Sequence, residues 1–476
     1  MIKPRNLASG LSAIIVAISF TLIPPLVVAL LYDEYFTVPS FVVPMIVALC
    51  TGLLAYKRVG PPIKLTIVEA MVISSLGWLL APALGSIPYI VVLKMDFLDA
   101  YFEAFSSWTA TGMTVIPVLE SVPKSVLFWR ALGAWIGGAG VILLTTLLFL
   151  SREGIIAWRM YVAEAREERI APTTRSTVKY IWSIYAFYTA LCALLLTLAG
   201  LDPFDAVCHA FTCLSTCGSS TRTDNIGAFN NIAAEVVLMI FMIFGATRFS
   251  LHYKLLTGDV KSFVTDPELR TFIFVLVVSS AIVSLDLVLH SGLGIGEALR
   301  MGFFHAISVG TTAGFTIKDL TLFPPLSKLV LLVLMFIGGC SNSTAGGIKI
   351  WRLVTLSKLS KQEIDKIFLP TTVRKALRLG KVVLDEHEVL RSASFFFMYL
   401  SFAFVATTIM VFFEGDFLGC LSGVLSAMAS VGPFYMSPLT LSPISKIVLM
   451  VSMWVGRLEL IPIFVLLSPQ LWRAKR

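Results

Sequence analysis

Four short segments of this chain decide its fold, and they align without gaps: EAFSSWTATG at 103–112, HAFTCLSTCG at 209–218, HAISVGTTAG at 305–314 and GVLSAMASVG at 423–432. Each segment ends in a glycine that follows small or hydroxyl-bearing residues. The four glycines are separated by 106, 96 and 118 residues, so one unit recurs four times along the chain. A repeat of this kind sets the architecture before any single motif does.

Each segment belongs to a short apolar piece that lies between two longer apolar runs. The preceding runs cover 65–93, 177–199, 271–290 and 392–413, the short pieces 99–110, 205–216, 299–312 and 418–430, and the following runs 125–150, 232–256, 326–356 and 444–468. A piece of about 12 residues forms about 18 Å of helix, too short to cross a hydrocarbon core of roughly 30 Å. Non-helical backbone within a membrane must be buried in protein or line water. We therefore predict four helix–half-helix–helix repeats around a central aqueous path.

The composition agrees with a membrane protein and excludes a soluble one. Of the 476 residues, 57% are hydrophobic and only 14% are charged, against about one-quarter charged in soluble domains, and the mean hydropathy is +0.87. Two further apolar runs, 8–31 and 39–56, precede the repeats. The first is too long for a signal peptide and is predicted to stay as a membrane helix. The net charge of +8 is not arranged as a basic stripe with aromatic residues, so no nucleic acid is expected.

The predicted fold class is therefore an all-α polytopic membrane protein with four fused repeats and two extra N-terminal helices. The predicted divisions are an N-terminal extension and repeats one to four, at 1–60, 61–152, 153–258, 259–358 and 359–476.

The basic residues predict the orientation. Of 37 Lys and Arg residues, 28 lie in the segments 1–6, 57–64, 151–179, 248–270, 349–391 and 473–476. The positive-inside rule places these segments in the cytoplasm, which predicts a multi-pass protein of the cytoplasmic membrane with both termini inside. The stretch from Lys375 to Leu390 is expected to form an amphipathic surface helix, the usual explanation for such a charge run. No cytoplasmic segment is long enough to form a nucleotide-binding domain.

The four glycine segments predict an ion filter. A filter for a dehydrated cation needs rings of inward-facing backbone carbonyls, and glycine permits the backbone angles that turn carbonyls towards an axis. The expected ion-binding residues are Thr111, Gly112, Cys217, Gly218, Ala313, Gly314, Val431 and Gly432, flanked by Thr109, Ala110, Ser215, Thr216, Thr311, Thr312, Ala429 and Ser430. The alternative is that these are ordinary small-residue faces for helix packing. Four such segments in register favour the filter.

A polar segment interrupts the third inner helix. Only about 12 apolar residues precede it, about half a membrane thickness, and its residues are Gly338, Gly339, Cys340, Ser341, Asn342, Ser343, Thr344, Ala345, Gly346 and Gly347. We predict a broken helix whose loop lines the cavity below the filter. The alternative is a cytoplasmic loop. At similar distances from their filter glycines, the other inner helices carry Gly138, Gly245 and Gly456, which suit flexing or packing.

Arg457 is expected midway along the last helix, in MWVGRLELIP. A central membrane arginine is costly unless it faces water or a partner. Two alternatives stay open: a buried structural ion pair, or an electrostatic barrier in the cation path. Glu459 lies on another helical face and is a poor intrahelical partner.

Three further groups of polar residues carry other expectations. His209 and His305 occupy the position of Glu103 in their repeats, which should spread them around the pore, so no transition-metal site is expected. Six of the seven cysteines show no metal-like pairing, and Cys213 and Cys217 with His209 owe their spacing to the short half-helix. Asp99 and Asp205 are expected to cap the N-termini of their half-helices, with no equivalent in repeats three and four.

Over nearly its whole length, the chain resembles the membrane subunit of the Trk/Ktr/HKT potassium transporter superfamily, most closely the TrkH branch. The four aligned glycine segments, the GGCSNSTAGG run and the GGIK that ends at Lys349 carry the resemblance. In that superfamily, four filter glycines go with potassium and serine at the first position goes with sodium. The residues Cys217 and Val431 depart from the commoner pattern, with a modest expected effect because carbonyls bind the ion.

The resemblance also implies a gate and partners. The family's intramembrane gating loop corresponds to Gly338–Gly347, and its arginine near the gate corresponds to Arg457, which favours the electrostatic barrier. It implies a homodimer with one pore per protomer, surrounded by membrane lipid. It further implies a cytoplasmic nucleotide-binding regulatory subunit, TrkA-like and of the RCK type, and no cofactor in this chain other than the transported K⁺.

The sequence is to be weighed against three kinds of membrane protein: a potassium channel-like transporter, a secondary symporter and a membrane enzyme. The favoured function is potassium uptake through one pore built from four repeats. Two variants of this function stay open: the protein is a sodium-permeable member of the superfamily, or potassium uptake is coupled to Na⁺ or H⁺. A secondary symporter with broken helices would show two large repeats rather than four short ones. A membrane enzyme would need a nucleophile, base or metal set clustered at one depth, and the sequence offers none.

Overall fold

The computed structural model describes residues 3–62, 65–140, 173–368, 378–379, 382–383 and 386–472. Within them, six helices are long and apolar enough to cross a membrane, or up to eight if each of two bent pairs counts as one span. The protein is a multi-pass membrane protein. The all-α architecture of four fused repeats with two additional N-terminal spans is confirmed.

The N-terminal extension packs against the first repeat. It consists of α1 (Pro4–Thr21), α2 (Ile23–Leu31) and α3 (Val38–Val59). Both α1 and α2 contribute to one apolar stretch of 28 residues, the expected length for a span. Helix α1 packs on α3 and on the first helix of repeat one.

Each repeat has an outer helix, a half-helix and an inner helix. Repeat one contains α4 (Ile67–Gly85), α5 (Ile87–Leu93), α6 (Phe97–Trp108) and α7 (Lys124–Ala139); repeat two contains α8 (Thr174–Leu198), α9 (Pro203–Leu214), α10 (Ile232–Gly245) and α11 (Phe249–Leu256), followed by α12 (Val260–Thr265). Repeat three contains α13 (Pro267–Ser291), α14 (Ile295–Gly310), α15 (Pro325–Ile337) and α16 (Ile350–Phe368); repeat four contains α17 (Glu386–Glu414), α18 (Phe417–Ala429), α19 (Pro443–Arg457), α20 (Ile461–Leu467) and α21 (Pro469–Trp472). Short 3₁₀-helices cover Tyr35–Thr37, Leu119–Ser121, Asn225–Phe229, Leu320–Leu322 and Pro438–Thr440.

One small hairpin interrupts the helical fold before repeat four. Its strands are β1 (Arg378–Leu379) and β2 (Val382–Val383), which pair antiparallel with Arg378 opposite Val383. An amphipathic helix from Lys375 to Leu390 was predicted for this stretch, and its described part contradicts that: α17 begins only at Glu386. The two valines favour an extended pairing over a helix because they are branched at Cβ.

The half-helices begin earlier than the apolar pieces suggested. The side chains that cap them are Asp96, Asp202 and Asp416, each accepting from the backbone N–H two residues later at 3.0–3.1 Å. The prediction that Asp99 and Asp205 are the caps was wrong by one turn, since both lie inside the helices. Repeat four does have a capping aspartate, and repeat three begins with Gly294 and no side-chain cap.

All four inner helices stop at a similar distance beyond their filter glycines, at Ala139, Gly245, Ile337 and Arg457. The chain then bends by 107° between α10 and α11 and by 115° between α19 and α20. The sequence predicted a broken helix in repeat three and marked Gly245 and Gly456 as points suited to flexing or packing; the chain bends next to both of these glycines. The sequence also placed Arg457 midway along a helix, whereas the residue ends α19 at the bend.

Glycines at these helix ends pack against the half-helices. A Cβ atom on Gly137 or Gly456 would overlap the carbonyl oxygen of Trp108 or Met428, and on Gly245 it would come within 3.1 Å of the Leu214 carbonyl oxygen. Their missing side chains therefore let the inner helices approach the half-helices closely.

Candidate functional site

The four filter segments share one backbone conformation. The residue two positions before each filter glycine has a left-handed conformation, at Ala110, Thr216, Thr312 and Ser430, with φ between 53° and 57°. The filter glycines also have positive φ, from 72° to 105°. A left-handed non-glycine residue costs about 1–2 kcal/mol. Because the same cost recurs at four equivalent positions, the surrounding structure must hold it in place.

A hydroxyl residue six positions before each glycine holds this turn. In repeats one to three, the carbonyl oxygens of Ser106, Thr212 and Ser308 each accept from the glycine N–H and the N–H before it, at 2.8–3.4 Å. In repeat four, the Ser426 carbonyl accepts from the Val431 N–H at 2.8 Å, and its hydroxyl accepts from the Gly432 N–H at 3.0 Å. The half-helix and the filter turn are thus one hydrogen-bonded unit in every repeat.

The four turns form a closed ring. A Cβ atom built on Gly112 would overlap the carbonyl oxygen of Cys217 in the second repeat. In the same way, a Cβ atom on Gly218 would overlap the carbonyl oxygen of Ala313, and a Cβ atom on Gly314 would overlap the carbonyl oxygen of Val431. On Gly432 it would lie 2.6 Å from the carbonyl oxygen of Thr111, which returns to the first repeat. Each glycine therefore lies against the carbonyl that precedes the glycine of the next repeat. No side chain fits at any of the four positions without moving a carbonyl.

Side chains nine positions before the glycines connect the half-helices to the chain beyond the filter. The carboxylate of Glu103 accepts from the Val115 N–H at 2.9 Å and forms an ion pair with Arg130 at 2.5 Å. His209 Nε2 lies 2.9 Å from the Ser220 hydroxyl, and His305 Nε2 accepts from the N–H groups of Ile317 and Lys318 at 3.3 and 3.4 Å. These side chains hold the half-helices against the chain that follows the glycine turns.

In repeat four, a different residue connects the half-helix to the chain that follows the glycine. It has Gly423 at this position, and the neighbouring Ser422 hydroxyl accepts from the Tyr435 N–H at 3.0 Å. No group of three or more His, Cys, Asp or Glu side chains suitable for a metal occurs among the described residues.

Hydrogen bonds also join the segments that follow the filter in successive repeats. The Glu120 carboxylate of repeat one accepts from the Thr223 N–H of repeat two at 2.9 Å and from its hydroxyl. These bonds hold the pKa of Glu120 below its usual range. Arg130 donates to the Ser220 carbonyl at 2.9 Å, and Ile226 donates to the Thr316 carbonyl of repeat three at 3.0 Å.

The Gly338–Gly347 loop packs against residues at the ends of the half-helices. The Gly346 N–H donates to the Thr312 hydroxyl at 3.1 Å, and a Cβ atom on Gly346 would overlap the Ala429 carbonyl oxygen. The Thr344 hydroxyl donates to the Leu214 carbonyl at the end of α9, at 2.9 Å. The loop therefore touches the half-helix ends of three repeats, which a loop outside the membrane could not reach.

One side of this loop is fixed to the bend of repeat two. The N–H groups of Cys340 and Thr344 donate to the carbonyls of Ala246 and Gly245 at 3.0 and 3.2 Å. The buried carboxylate of Glu268, in the first turn of α13, accepts from the Ser341 N–H at 2.7 Å and from its hydroxyl at 3.0 Å. The same carboxylate pairs with Arg248 at 3.2 Å.

Sequence reasoning missed Glu268, because the Asp-Pro-Glu-Leu stretch at 266–269 reads as an ordinary helix start. Its partner in the loop is more than 70 residues away, so no local pattern connects them.

The other side of the loop meets repeat four through ion pairs. Lys349 and Arg352, just after the loop, both pair with Glu459, Lys349 at 2.6 Å. Glu459 can reach them because α19 ends at Arg457 and the chain turns there, with φ of 53° at Glu459.

Arg457 points at the end of the first inner helix. Its guanidinium donates to the carbonyls of Gly137 and Gly138, the latter at 2.8 Å, and lies 5.2 Å from the centre of the Trp78 ring. These contacts place the charge on the C-terminal carbonyls of α7, where a cation is favoured.

Arg457 and the loop line the same cavity. It has a volume of about 40 Å³, and its walls include Ser430 of the filter segment, Gly346, Asn342 and Arg457. This volume has room for only a few water molecules. Asn342 also lines a second cavity of about 580 Å³, which it shares with Arg248 and Arg391. The loop thus walls a narrow cavity that includes Ser430 and shares Asn342 with a much wider cavity.

Comparisons with known proteins agree with this geometry. Residues 41–474 match the family model described as TrkH, cation transport protein. The chain is 31% identical over 486 residues to the Trk system potassium uptake protein TrkH of Escherichia coli, covering 98% of this chain and 99% of that protein. It is 34% identical over 460 residues to an uncharacterised cation transporter of Methanocaldococcus jannaschii, covering 96% and 94%. The crystal structure of the potassium transporter TrkH from Vibrio parahaemolyticus superposes with a TM-score of 0.88 at 30% identity, covering 99% of this chain and all of that one.

Proposed function

Because this chain belongs to the TrkH family of cation transport proteins, we propose that it takes up potassium across the cytoplasmic membrane through the ring of four filter segments. The chain is a transporter and not an enzyme. The observation that carries the proposal is the closed ring in which each filter glycine lies against a carbonyl of the next repeat. Carbonyl rings of this kind replace the water around a dehydrated cation.

Potassium is the proposed ion on two grounds. The relative from Escherichia coli is named a potassium uptake protein, and all four filter positions of this chain are glycine. The proposed ion-binding residues are those named from the sequence, Thr111 to Gly112, Cys217 to Gly218, Ala313 to Gly314 and Val431 to Gly432. Both termini are proposed to lie in the cytoplasm, on the strength of the basic segments.

The experiment is potassium uptake in a cell that lacks its own potassium uptake systems, with sodium added as a competitor. Expression of the chain should restore growth at low potassium, and excess sodium should leave the rate of uptake nearly unchanged. Uptake that sodium suppresses would identify a sodium-permeable protein instead. A Gly112→Ser variant expressed at the same level should instead show uptake that excess sodium suppresses.

We propose that Gly338–Gly347 and Arg457 form the gate below this filter. The contacts that support it are those of the loop with Thr312, Leu214 and Ala429, and the small cavity that the loop shares with Arg457. A gate needs two arrangements of similar energy. The loop meets this need because its polar groups bond either to neighbouring helices, as observed, or to water.

Glu268→Gln should raise potassium flux without changing the ratio of potassium to sodium flux. The substitution keeps the size of the side chain but removes the charge that strengthens its bonds to Ser341, a loss of about 1.5 kcal/mol or roughly tenfold in the closed-to-open ratio. The initial rate of potassium entry into liposomes measures this rise in flux. Glu363→Gln in α16, which changes an exposed carboxylate paired with Lys366, is the control and should leave flux unchanged. Equal potassium flux in the two variants would show that Glu268 does not stabilise the closed gate.

A separate cytoplasmic subunit is proposed to regulate the gate, and the chain is proposed to form a homodimer. No predicted cytoplasmic segment is long enough to bind a nucleotide, so nucleotide control must come from a partner docked on basic segments such as 151–179 and 349–391. Of the first segment, residues 151–172 lie outside the described part of the chain; the second contains α16, with exposed Lys361 and Lys366.

The chain should therefore co-purify with a nucleotide-binding protein from its own cell. Lys361→Glu combined with Lys366→Glu should weaken this association because it reverses the charge of the docking surface. The amount of partner per chain after affinity purification measures the effect. Full nucleotide control of flux in the purified chain alone would contradict the proposal.

A further inference from the structure

One filter carbonyl is already occupied by a side chain. The Asn225 amide nitrogen donates to the carbonyl oxygen of Gly218 at 3.0 Å. Asn225 follows Gly218 by seven residues and begins the 3₁₀-helix Asn225–Phe229. Gly218, one of the proposed ion-binding residues, thus has a protein donor on its carbonyl oxygen in addition to any ion.

The orientation of this amide is fixed by its other contacts. Its oxygen accepts from the N–H of Ile226 at 2.9 Å and from the N–H of Thr316 in repeat three at 3.4 Å. Two donors require the oxygen on that side, which leaves the nitrogen facing Gly218. The residue has a φ of 54°, a conformation that asparagine tolerates better than most residues. Backbone and side chain are therefore both suited to this bridge.

The bridge occurs in one repeat of the four. Within the described part of the chain, no side chain donates to the carbonyls of Gly112, Gly314 or Gly432. The ring is therefore symmetric in its backbone turns but not in the hydrogen bonds to its glycine carbonyls. The bridged glycine is the one that follows Cys217, where the sequence departs from the commoner filter pattern.

We propose that Asn225 is a positioning residue that sets the ion selectivity of the filter by holding the Gly218 peptide. The inference rests on the proposed function of the four segments as a potassium filter. A carbonyl oxygen has two lone pairs, so the amide occupies one and fixes the direction of the other. Without this bond the peptide can rotate, and a ring with one mobile carbonyl fits a smaller cation more easily. Sodium should gain most from the loss of the amide.

Asn225→Gly tests the proposal, because glycine adopts the same φ without strain and has no amide to donate. The matched control is Asn230→Gly. Asn230 is exposed, also has a positive φ of 42°, and bonds to Arg300 on its side chain, without contacting the filter. In liposomes, Asn225→Gly should lower the ratio of potassium to sodium flux about fivefold, the value expected for one hydrogen bond. The control should keep the parent ratio.

A second measurement separates selectivity from folding. The difference in melting temperature between purified protein in potassium and in sodium should shrink in Asn225→Gly and persist in Asn230→Gly. Asn225→Asp, which keeps the size of the side chain but cannot donate when ionised, should behave like Asn225→Gly in both measurements.

The outcomes distinguish this inference from the filter itself. If Gly112→Ser changes the flux ratio and both Asn225 variants keep it, Asn225 does not set selectivity and the filter assignment stands. An equal rise in potassium and sodium flux in the Asn225 variants would also overturn the inference. If Gly112→Ser too keeps the parent ratio, the four glycines are not the filter.

Discussion

Gly112→Ser should raise sodium flux relative to potassium flux about tenfold, since the substitution costs the ring at least about 1.4 kcal/mol. The glycine has a φ of 86°, and a Cβ atom there would overlap the carbonyl oxygen of Cys217. The serine must therefore displace a carbonyl of the second repeat as well as strain its own backbone. Two of the four carbonyl positions change, and the ring no longer fits potassium alone.

The matched control is Gly415→Ser. Gly415 lies in the turn between α17 and α18, also has a positive φ of 77°, and has no atom within 4 Å of the place where a Cβ would stand. This variant carries the same backbone strain with no ring to disturb, so its flux ratio should equal that of the parent. The ratio is measured in liposomes loaded with one cation and exposed to the other. A Gly112→Ser protein with the parent ratio would contradict the filter assignment.

Removing Asn342–Thr344 from the loop should raise potassium flux at an unchanged ratio of potassium to sodium flux. The deletion removes the residues that bond to the bend of repeat two and wall the small cavity below Ser430. The filter turns are held by their own half-helices, so selectivity should survive. Flux at the parent level, or a change of selectivity instead, would show that the loop is not the gate.

Arg457→Ala should raise flux in the same direction. A positive charge at roughly 10 Å from a cation, with an effective dielectric constant of about 20, repels it by about 1.7 kcal/mol, which is more than tenfold in rate. Arg457→Lys keeps the charge and loses part of the bonding to Gly137 and Gly138, so it should stay near the parent flux. If lysine behaves like alanine, Arg457 acts through its hydrogen bonds and not through repulsion.

The loop deletion and Arg457→Ala combined should raise flux by less than the product of their separate effects. The loop and Arg457 line one cavity and act on one barrier to the ion, so the free-energy changes caused by the two alterations should not add. The structure shows the Arg457 guanidinium on the carbonyls of Gly137 and Gly138, in the wall of the cavity that the loop also lines.

The repeat architecture could be predicted because the same pattern of residues recurs four times along the sequence. Four glycine segments in register, each after a piece too short to cross a membrane, leave few folds that satisfy the backbone in lipid. The broken third inner helix could be predicted for the same reason, since its apolar run is visibly short. The glycines Gly245 and Gly456 marked points suited to flexing or packing, but the angles of the bends there could not be predicted, because the apolar runs continue through both bends and hydropathy does not record a change of direction.

Contacts between distant segments were beyond the reach of the sequence. Glu268 and Ser341, or Asn225 and Thr316, are neighbours only once the repeats close into a ring. Glu103 is different, because an acidic residue within an apolar half-helix signals a buried partner, and Arg130 is that partner. The prediction of the residues that cap the half-helices was wrong for a simpler reason, because apolar periodicity locates a helix but not its first residue.

The most direct test of the central claim is the initial rate of potassium and of sodium entry into liposomes that contain the purified chain and no other protein. We expect saturable potassium entry that exceeds sodium entry, with the excess lost in Gly112→Ser and kept in Gly415→Ser. Equal entry of the two ions in the parent protein, or an excess of potassium entry that survives Gly112→Ser, would contradict it.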